Sequence, residues 1–249
     1  MSDPAYLDRA DGVRLAYRFR AGRGPVILFL PGYMSDMEGS KAVALDAWAA
    51  AEGRAVLRFD YSGCGASDGD FETATLAGWR DDVLLLLDRI VTGPVVLVGS
   101  SMGGWLMLLV ALARAERIAG MVGIAAAPDF TDWGFTQEMK LELLSRGRLE
   151  EVSKYSDRPT VTTRAFWQSG EANRVLHAEI AIDCPVRLLH GQRDPDVPWE
   201  YAIHLARRLR SANVQTLLVK DGDHRLSRDA DIERLIAAVA EVCRLSENP

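Results

Sequence analysis

Five consecutive apolar residues, Val26, Ile27, Leu28, Phe29 and Leu30, leave no polar position to mark a solvated face. A short run of that kind is what a strand buried on both sides looks like, and such strands belong to parallel sheets covered by helices. Comparable runs over residues 54–61, 95–100, 121–125, 186–190 and 215–219 continue the series. Residues 13–19 instead alternate apolar and polar positions, which predicts an antiparallel strand ahead of it. Helical periodicity fills the gaps over 40–51, 76–90, 102–114, 200–209 and 229–245. In the last of these, Ile232, Leu235, Ile236, Val239 and Val242 share one face, suited to packing on a sheet. Alternating strands and helices predict an α/β fold with a mostly parallel central sheet flanked by helices, in one domain over residues 1–249.

The alternation breaks once. Residues 129–179 mix helix formers and polar residues with Trp133, Phe135, Tyr155, Phe166 and Trp167, and they fall between two predicted strands. An insertion there would form a small cap above the carboxyl ends of the strands, where α/β folds bind ligands. Its aromatics have two readings, the lining of a pocket or the packing of a small subdomain.

Composition narrows the classes. A chain of 249 residues that is 48 % hydrophobic can bury a substantial core. With 29 Lys and Arg against 35 Asp and Glu, the net charge of -6 argues against a nucleic-acid partner. Cys64, Cys184 and Cys243 are distant in sequence and odd in number, which indicates neither a disulfide framework nor a zinc site. No apolar run approaches the length of a membrane span. The first residues lack the basic and apolar segments of a secretory signal and carry acids unlike a transit peptide, so a cytoplasmic location is expected.

Candidate chemistry centres on Gly99-Ser100-Ser101-Met102-Gly103, which reads Gly-x-Ser-x-Gly between the apolar run at 95–98 and the helical run after it. That context is what a nucleophile elbow requires: a strained strand-to-helix turn, with glycines where a Cβ would crowd the strand and the helix. Phosphate-binding patterns are absent, since Gly63-Cys64-Gly65 is followed by Asp68 where a dinucleotide fingerprint needs its third glycine. A serine nucleophile needs a base. Of the four histidines, His224 lies in a polar loop after the last predicted strand and is the best placed; His190 ends a strand and reads as structural, and His177 and His204 read as surface residues. The orienting carboxylate is expected from the loop at 191–198. Asp194 follows Gly191 directly, whereas Asp196 suits a cap for the helix near Pro198. Asp129 is a substitute position, and Asp223, adjacent to His224, reads as a loop residue. Oxyanion donors are expected from the backbone N–H of Met102 and from the loop at 30–34, with Tyr33 preferred over Met34.

These residues carry a resemblance. The elbow with Gly104-Trp105-Leu106, the loop Leu30-Pro31-Gly32-Tyr33-Met34, the stretch Arg58-Phe59-Asp60-Tyr61-Ser62-Gly63-Cys64-Gly65, and His190-Gly191-Gln192-Arg193-Asp194-Pro195-Asp196 are similar to the α/β-hydrolase branch of palmitoyl-protein thioesterases and acyl-glucuronide esterases. The resemblance runs from about Val26 to the last helix, and the order serine, acid, histidine is that of the superfamily. It implies an α/β-hydrolase fold, with Ser101 as nucleophile, Asp194 as acid and His224 as base. The expected reaction is hydrolysis of a small acyl ester or acyl thioester, or of an acylated protein, without metal or organic cofactor. The lack of a transit peptide points to a bacterial-type relative rather than the mitochondrial member. Two alternatives remain at this level. One is an aminopeptidase-like hydrolase, in which Glu138, Glu142, Glu150 or Glu151 would hold a substrate amine; the other is a noncatalytic ligand-binding relative.

Overall fold

The structure, a computed structural model, describes residues 3–153, 157 and 159–247. The chain opens with β1 (Ala5–Asp8), β2 (Arg14–Arg20) and β3 (Arg23–Leu30), followed by α1 (Ser40–Ala51), β4 (Arg54–Phe59) and α2 (Leu76–Ile90). Next come β5 (Val95–Ser100), α3 (Met102–Ala113) and β6 (Ile118–Ile124). Then α4 (Phe130–Trp133), α5 (Gln137–Arg146), a hairpin of β7 (Arg148–Glu151) and β8 (Thr160–Thr163), and α6 (Arg164–Ala172) occupy the predicted insertion. The chain ends with β9 (Val186–Gly191), α7 (Glu200–Arg208), β10 (Val214–Val219) and α8 (Asp229–Glu247).

Among the described residues the main sheet has eight strands in the order β1-β2-β4-β3-β5-β6-β9-β10. Only the β1/β2 and β2/β4 pairs are antiparallel; the remainder are parallel. This is the mostly parallel sheet expected, with 13–19 as its antiparallel lead. The strand β1 was not anticipated, because a four-residue edge strand with an exposed surface has almost no apolar alternation to read. Helix ends move by one or two residues from their predicted positions, as terminal turns commonly do.

The continuous apolar runs are explained by two cores, one on each face of the sheet. Successive side chains of a strand point to opposite faces. Val26, Leu28 and Leu30 of β3 with Val95 and Leu97 of β5 therefore enter one cluster, with Trp79, Leu86 and Trp105 from α2 and α3. Ile27, Phe29, Val96 and Val98 enter the other, against Leu45 of α1 and Leu235, Val239 and Val242 of α8. Burying each such side chain stabilises the fold by about 1.5–3 kcal/mol, so both faces must be apolar for the sheet to be sealed.

Just past β4, the buried carboxylate of Asp60 accepts the Met37 N–H at 2.7 Å and the Ala66 N–H at 2.8 Å. Burial pushes this carboxyl up, against the two N–H groups that hold it down. A Cβ on Gly65 would fall 2.2 Å from Asp60 Oδ2, so that glycine serves a tight turn around a carboxylate rather than a phosphate. The same turn anchors the loop that follows β3.

Candidate active site

Ser101 sits between β5 and α3 at φ 55°, ψ -120°, in a region that side-chain-bearing residues rarely adopt. Its backbone is held from both sides: its N–H donates to Ile124 O at 2.9 Å, and its carbonyl accepts the Ala127 N–H at 3.1 Å. The surrounding glycines are required by space. A Cβ on Gly99 would lie 2.4 Å from Gly103 O, one on Gly103 would lie 2.1 Å from Leu30 O, and one on Gly104 would lie 2.5 Å from Ala126 Cβ. Strand, turn and helix thus approach more closely than any side chain would allow. Strain of this kind persists only where the neighbouring structure imposes it, and it raises the serine hydroxyl above the sheet.

The loop after β9 and the loop after β10 meet beside Ser101. Gly191 permits this: a Cβ there would be 2.3 Å from Gly222 O. Main-chain bonds join the loops, from Gln192 N–H to Val219 O and from Arg193 N–H to Gly222 O, both at 2.9 Å. His224 Nε2 then lies 3.1 Å from Ser101 Oγ, and His224 Nδ1 lies 2.8 Å from Asp194 Oδ2. Because the carboxylate can only accept, Nδ1 is assigned the proton and Nε2 the lone pair facing the serine hydroxyl. This arrangement can move a proton from Ser101 to His224 while the Asp194 charge balances the imidazolium.

Asp194 is enclosed, its side chain 0 % exposed. Its Oδ1 accepts the N–H groups of Asp196 (2.8 Å) and Val197 (2.9 Å). Burial by itself would raise this carboxyl, but the hydrogen bonds of His190 and His224, the His224 charge and the Val197 N–H hold it well below the ordinary carboxylate range. The predicted cap role of Asp196 is not observed. Trp199, three positions beyond Asp196, is the N-cap residue of α7, which starts at Glu200 as its periodicity predicts, and there is no side-chain cap. Asp129 is also drawn away from His224. It adopts a left-handed conformation at φ 58° and accepts the Val175 and Leu176 N–H groups, so it ties the segment after α6 to the end of β6. Asp223 accepts the Leu226 N–H, as a loop residue does. His177 and His204 are exposed.

The loop after β3 touches the elbow. A Cβ on Gly32 would lie 3.4 Å from Ser101 Cβ, and the Ser35 N–H donates to Gly32 O at 3.2 Å to close the turn that carries Tyr33 and Met34. Met102 begins α3, and Ser101, its N-cap, makes no side-chain cap bond, so its hydroxyl is not spent on the first N–H groups of the helix. The Tyr33 ring packs with Phe71, Trp79, Phe130 and Phe166 at centroid distances of 5.4, 5.8, 6.3 and 4.8 Å. Its hydroxyl donates to Val161 O of the β7–β8 hairpin at 2.6 Å. Burial pushes the phenol far above its usual range, so it remains a donor. This pin was not legible in the sequence. Tyr33→Phe leaves the Val161 carbonyl without its donor and is expected to cost about 1–3 kcal/mol, read as a lower urea midpoint at unchanged slope.

Most insertion aromatics whose contacts are described are engaged in packing. Phe166 is buried against Trp79, Phe135 stacks on Phe130, Trp133 stacks on Tyr201 at 4.2 Å, and Trp167 Nε1 donates to Thr131 O. Tyr155 lies outside the described residues. Lys41, also missed by the sequence reading, donates to Arg225 O at 2.5 Å and so tethers α1 to the loop bearing His224; burial and then Arg225 draw its ammonium down to about 8. Ligand atoms of Asp194, Asp196 and His224 lie within 4.8 Å of one another, but the Asp194–His224 hydrogen bond engages two of the atoms a cation would need.

The sequence profile of the alpha/beta hydrolase family matches residues 27–238. The chain belongs to that family. This hydrolase is 41 % identical over 242 residues to the human mitochondrial palmitoyl-protein thioesterase ABHD10, covering 96 % of the chain and 79 % of that protein. Among solved structures it resembles mouse alpha/beta hydrolase domain-containing protein 10, with a TM-score of 0.90 and 40 % identity over 97 % of this chain and 98 % of that one. A putative hydrolase from Agrobacterium vitis superposes with a TM-score of 0.91, at 40 % identity over 97 % and 98 % of the two chains. The family resemblance read from the motifs therefore holds. The cytoplasmic expectation does not: the mammalian relatives are mitochondrial by name. The physical reason is that compartment is set by a targeting segment read by a receptor, and the composition of a folded hydrolase domain carries no such address. Among the described residues no helix is long and apolar enough to cross a membrane.

Proposed function

We propose that this hydrolase cleaves carboxylic acyl esters or thioesters through a covalent acyl-enzyme. The observation that carries the reading is the line from Ser101 Oγ through His224 to the enclosed Asp194, with contacts of 3.1 and 2.8 Å, at a serine held at φ 55°. His224 Nε2 takes the Ser101 proton as Oγ attacks the carbonyl carbon. The negative charge moves to the carbonyl oxygen, held by the backbone N–H groups of Tyr33 and Met102, each worth about 2.7–4 kcal/mol to such a transition state. His224 then passes the proton to the departing alcohol or thiol. Water, deprotonated by the same imidazole, attacks the acyl carbon and releases the carboxylic acid and free Ser101.

The thioester half of this proposal is supported by the name of the mammalian relatives, palmitoyl-protein thioesterase, and extends the substrate class to acylated proteins. Residues 129–179 act as a cap within one catalytic domain over 1–249, tied to the oxyanion loop by the Tyr33 hydroxyl. A peptidase reading gains no support from the insertion. Glu142 and Glu150 are paired with Arg146 and Arg148, and Glu138 and Glu151 are solvent-exposed.

A fluorophosphonate probe tests the reading directly. Labelling is expected on the peptide bearing Ser101, with loss of hydrolysis of p-nitrophenyl esters and acyl thioesters in proportion. Label on another residue, or full turnover after stoichiometric labelling of Ser101, would overturn it.

A further inference from the structure

His190 is the last-but-one residue of β9, paired in register with Leu218 and wholly buried at 0 % exposure. A packing role alone calls for an apolar side chain, as at its neighbours Leu188 and Leu189, because an imidazole in such a place must recover its lost hydration through hydrogen bonds. The Nε2 atom recovers it. It lies 3.0 Å from Val197 O and 3.2 Å from Asp194 Oδ2, both of them acceptors, so Nε2 carries the proton. Nδ1 is enclosed with no hydrogen-bond partner, a position tolerable for a lone pair and costly for an N–H. Both observations assign the neutral Nε2–H tautomer.

From this geometry, and resting on the proposed Ser101 mechanism, we infer that His190 is a positioning residue for the acid: its Nε2–H holds Asp194 Oδ2, the same atom that receives His224 Nδ1–H. Asp194 is thereby held at four points, with two backbone N–H groups on Oδ1 and two imidazoles on Oδ2. Removing the His190 donor does two things. It frees the carboxylate to turn about its side-chain torsion, and it concentrates negative charge toward His224, which stabilises the imidazolium before substrate attacks. The other charged groups around these loops, Asp196, Asp223, Lys41, Arg193 and Arg225, are unaltered by the change.

The test compares His190→Leu, His190→Gln and His190→Asn as full chains, with rates normalised to active sites counted by fluorophosphonate titration. Glutamine can place an amide nitrogen where Nε2 stood, while asparagine is too short to reach. Leu and Asn variants are expected to lose about tenfold or more in kcat with KM little changed, since His190 does not touch substrate. The acid limb of their kcat/KM profile is expected to move to higher pH, with Gln recovering rate and profile. In the same proteins the deshielded Nδ1 proton resonance of His224 is expected to shift for Leu and Asn and to return for Gln. Should His190→Leu not fold, the Gln and Asn pair decides the matter. A Ser101-labelled enzyme whose Leu or Asn variant keeps the wild-type profile and resonance per active site, or whose Gln variant is no better than Asn, overturns the inference while leaving the Ser101 mechanism intact. Absence of Ser101 labelling in the wild type defeats the mechanism itself.

Discussion

Ser101→Ala is expected to lower kcat for p-nitrophenyl ester hydrolysis by about 10⁴- to 10⁶-fold, because the nucleophile and its base act as one unit. The residual rate comes from the oxyanion donors and from binding. The fold should survive. Alanine keeps a Cβ, so the backbone at φ 55°, ψ -120° stays as strained as with serine, and thermal stability should hardly move. Ser101→Gly separates strain from chemistry. Glycine is equally inactive but relieves a conformation that costs about 1–3 kcal/mol, partly offset by about 0.5–1 kcal/mol of added unfolded-state entropy. The glycine variant should therefore melt above the alanine variant. Substantial ester turnover by Ser101→Ala, measured with highly purified protein, would remove Ser101 from the mechanism.

Asp194→Asn is the second large effect, expected near a 10⁴-fold loss of kcat. The amide oxygen can still accept the Asp196 and Val197 N–H groups, which places the NH₂ where Oδ2 stood. That nitrogen donates, so His224 Nδ1 must accept and the ring proton moves to Nε2, facing Ser101 Oγ where a lone pair is needed. His190 Nε2–H loses an acceptor as well. Asp196→Asn should change kcat little by comparison, and the reverse ranking would reassign the acid. The pH dependence of stability follows from the same site. The Asp194 pKa is depressed in the folded state, so its stabilisation is present above the unfolded value of about 3.9 and is lost as pH falls from there toward the folded value. Acid unfolding of Asp194→Asn should consequently be shallower below about pH 4 than that of wild type.

Legibility in the sequence differed from residue to residue. Ser101 could be read because the elbow is local: a β-branched run, a glycine-flanked serine and a helix lie within about twenty positions, and close packing dictates every glycine among them. His224 and Asp194 could be read as positions on loops, since an α/β chain delivers each loop to the same sheet edge. The choice between Asp194 and Asp196 could be argued but not closed, as it depends on the turn in which Asp194 Oδ1 accepts the Asp196 and Val197 N–H groups. The part played by His190 was missed. Its place at the end of an apolar run has the appearance of ordinary strand chemistry, and its side-chain partner, Asp194, is reached only through the turn at Gly191. The Tyr33–Val161 bond spans 128 positions and leaves no periodic trace.

The sequence by itself determined the layered α/β architecture, the glycine-flanked turn that carries Ser101 and the chain order of the candidate site residues. Those properties rest on apolar periodicity and on glycines at steric contacts, both written into neighbouring positions. Tertiary structure alone decided which carboxylate meets His224, that a buried imidazole shares that carboxylate, and that Asp129 and Tyr33 bind the insertion to the sheet. Hydrogen bonds are directional and fail within fractions of an ångström. Spacing along the chain can bring such groups to the same edge of the sheet, but only the packed loops set the angles and distances at which they bond.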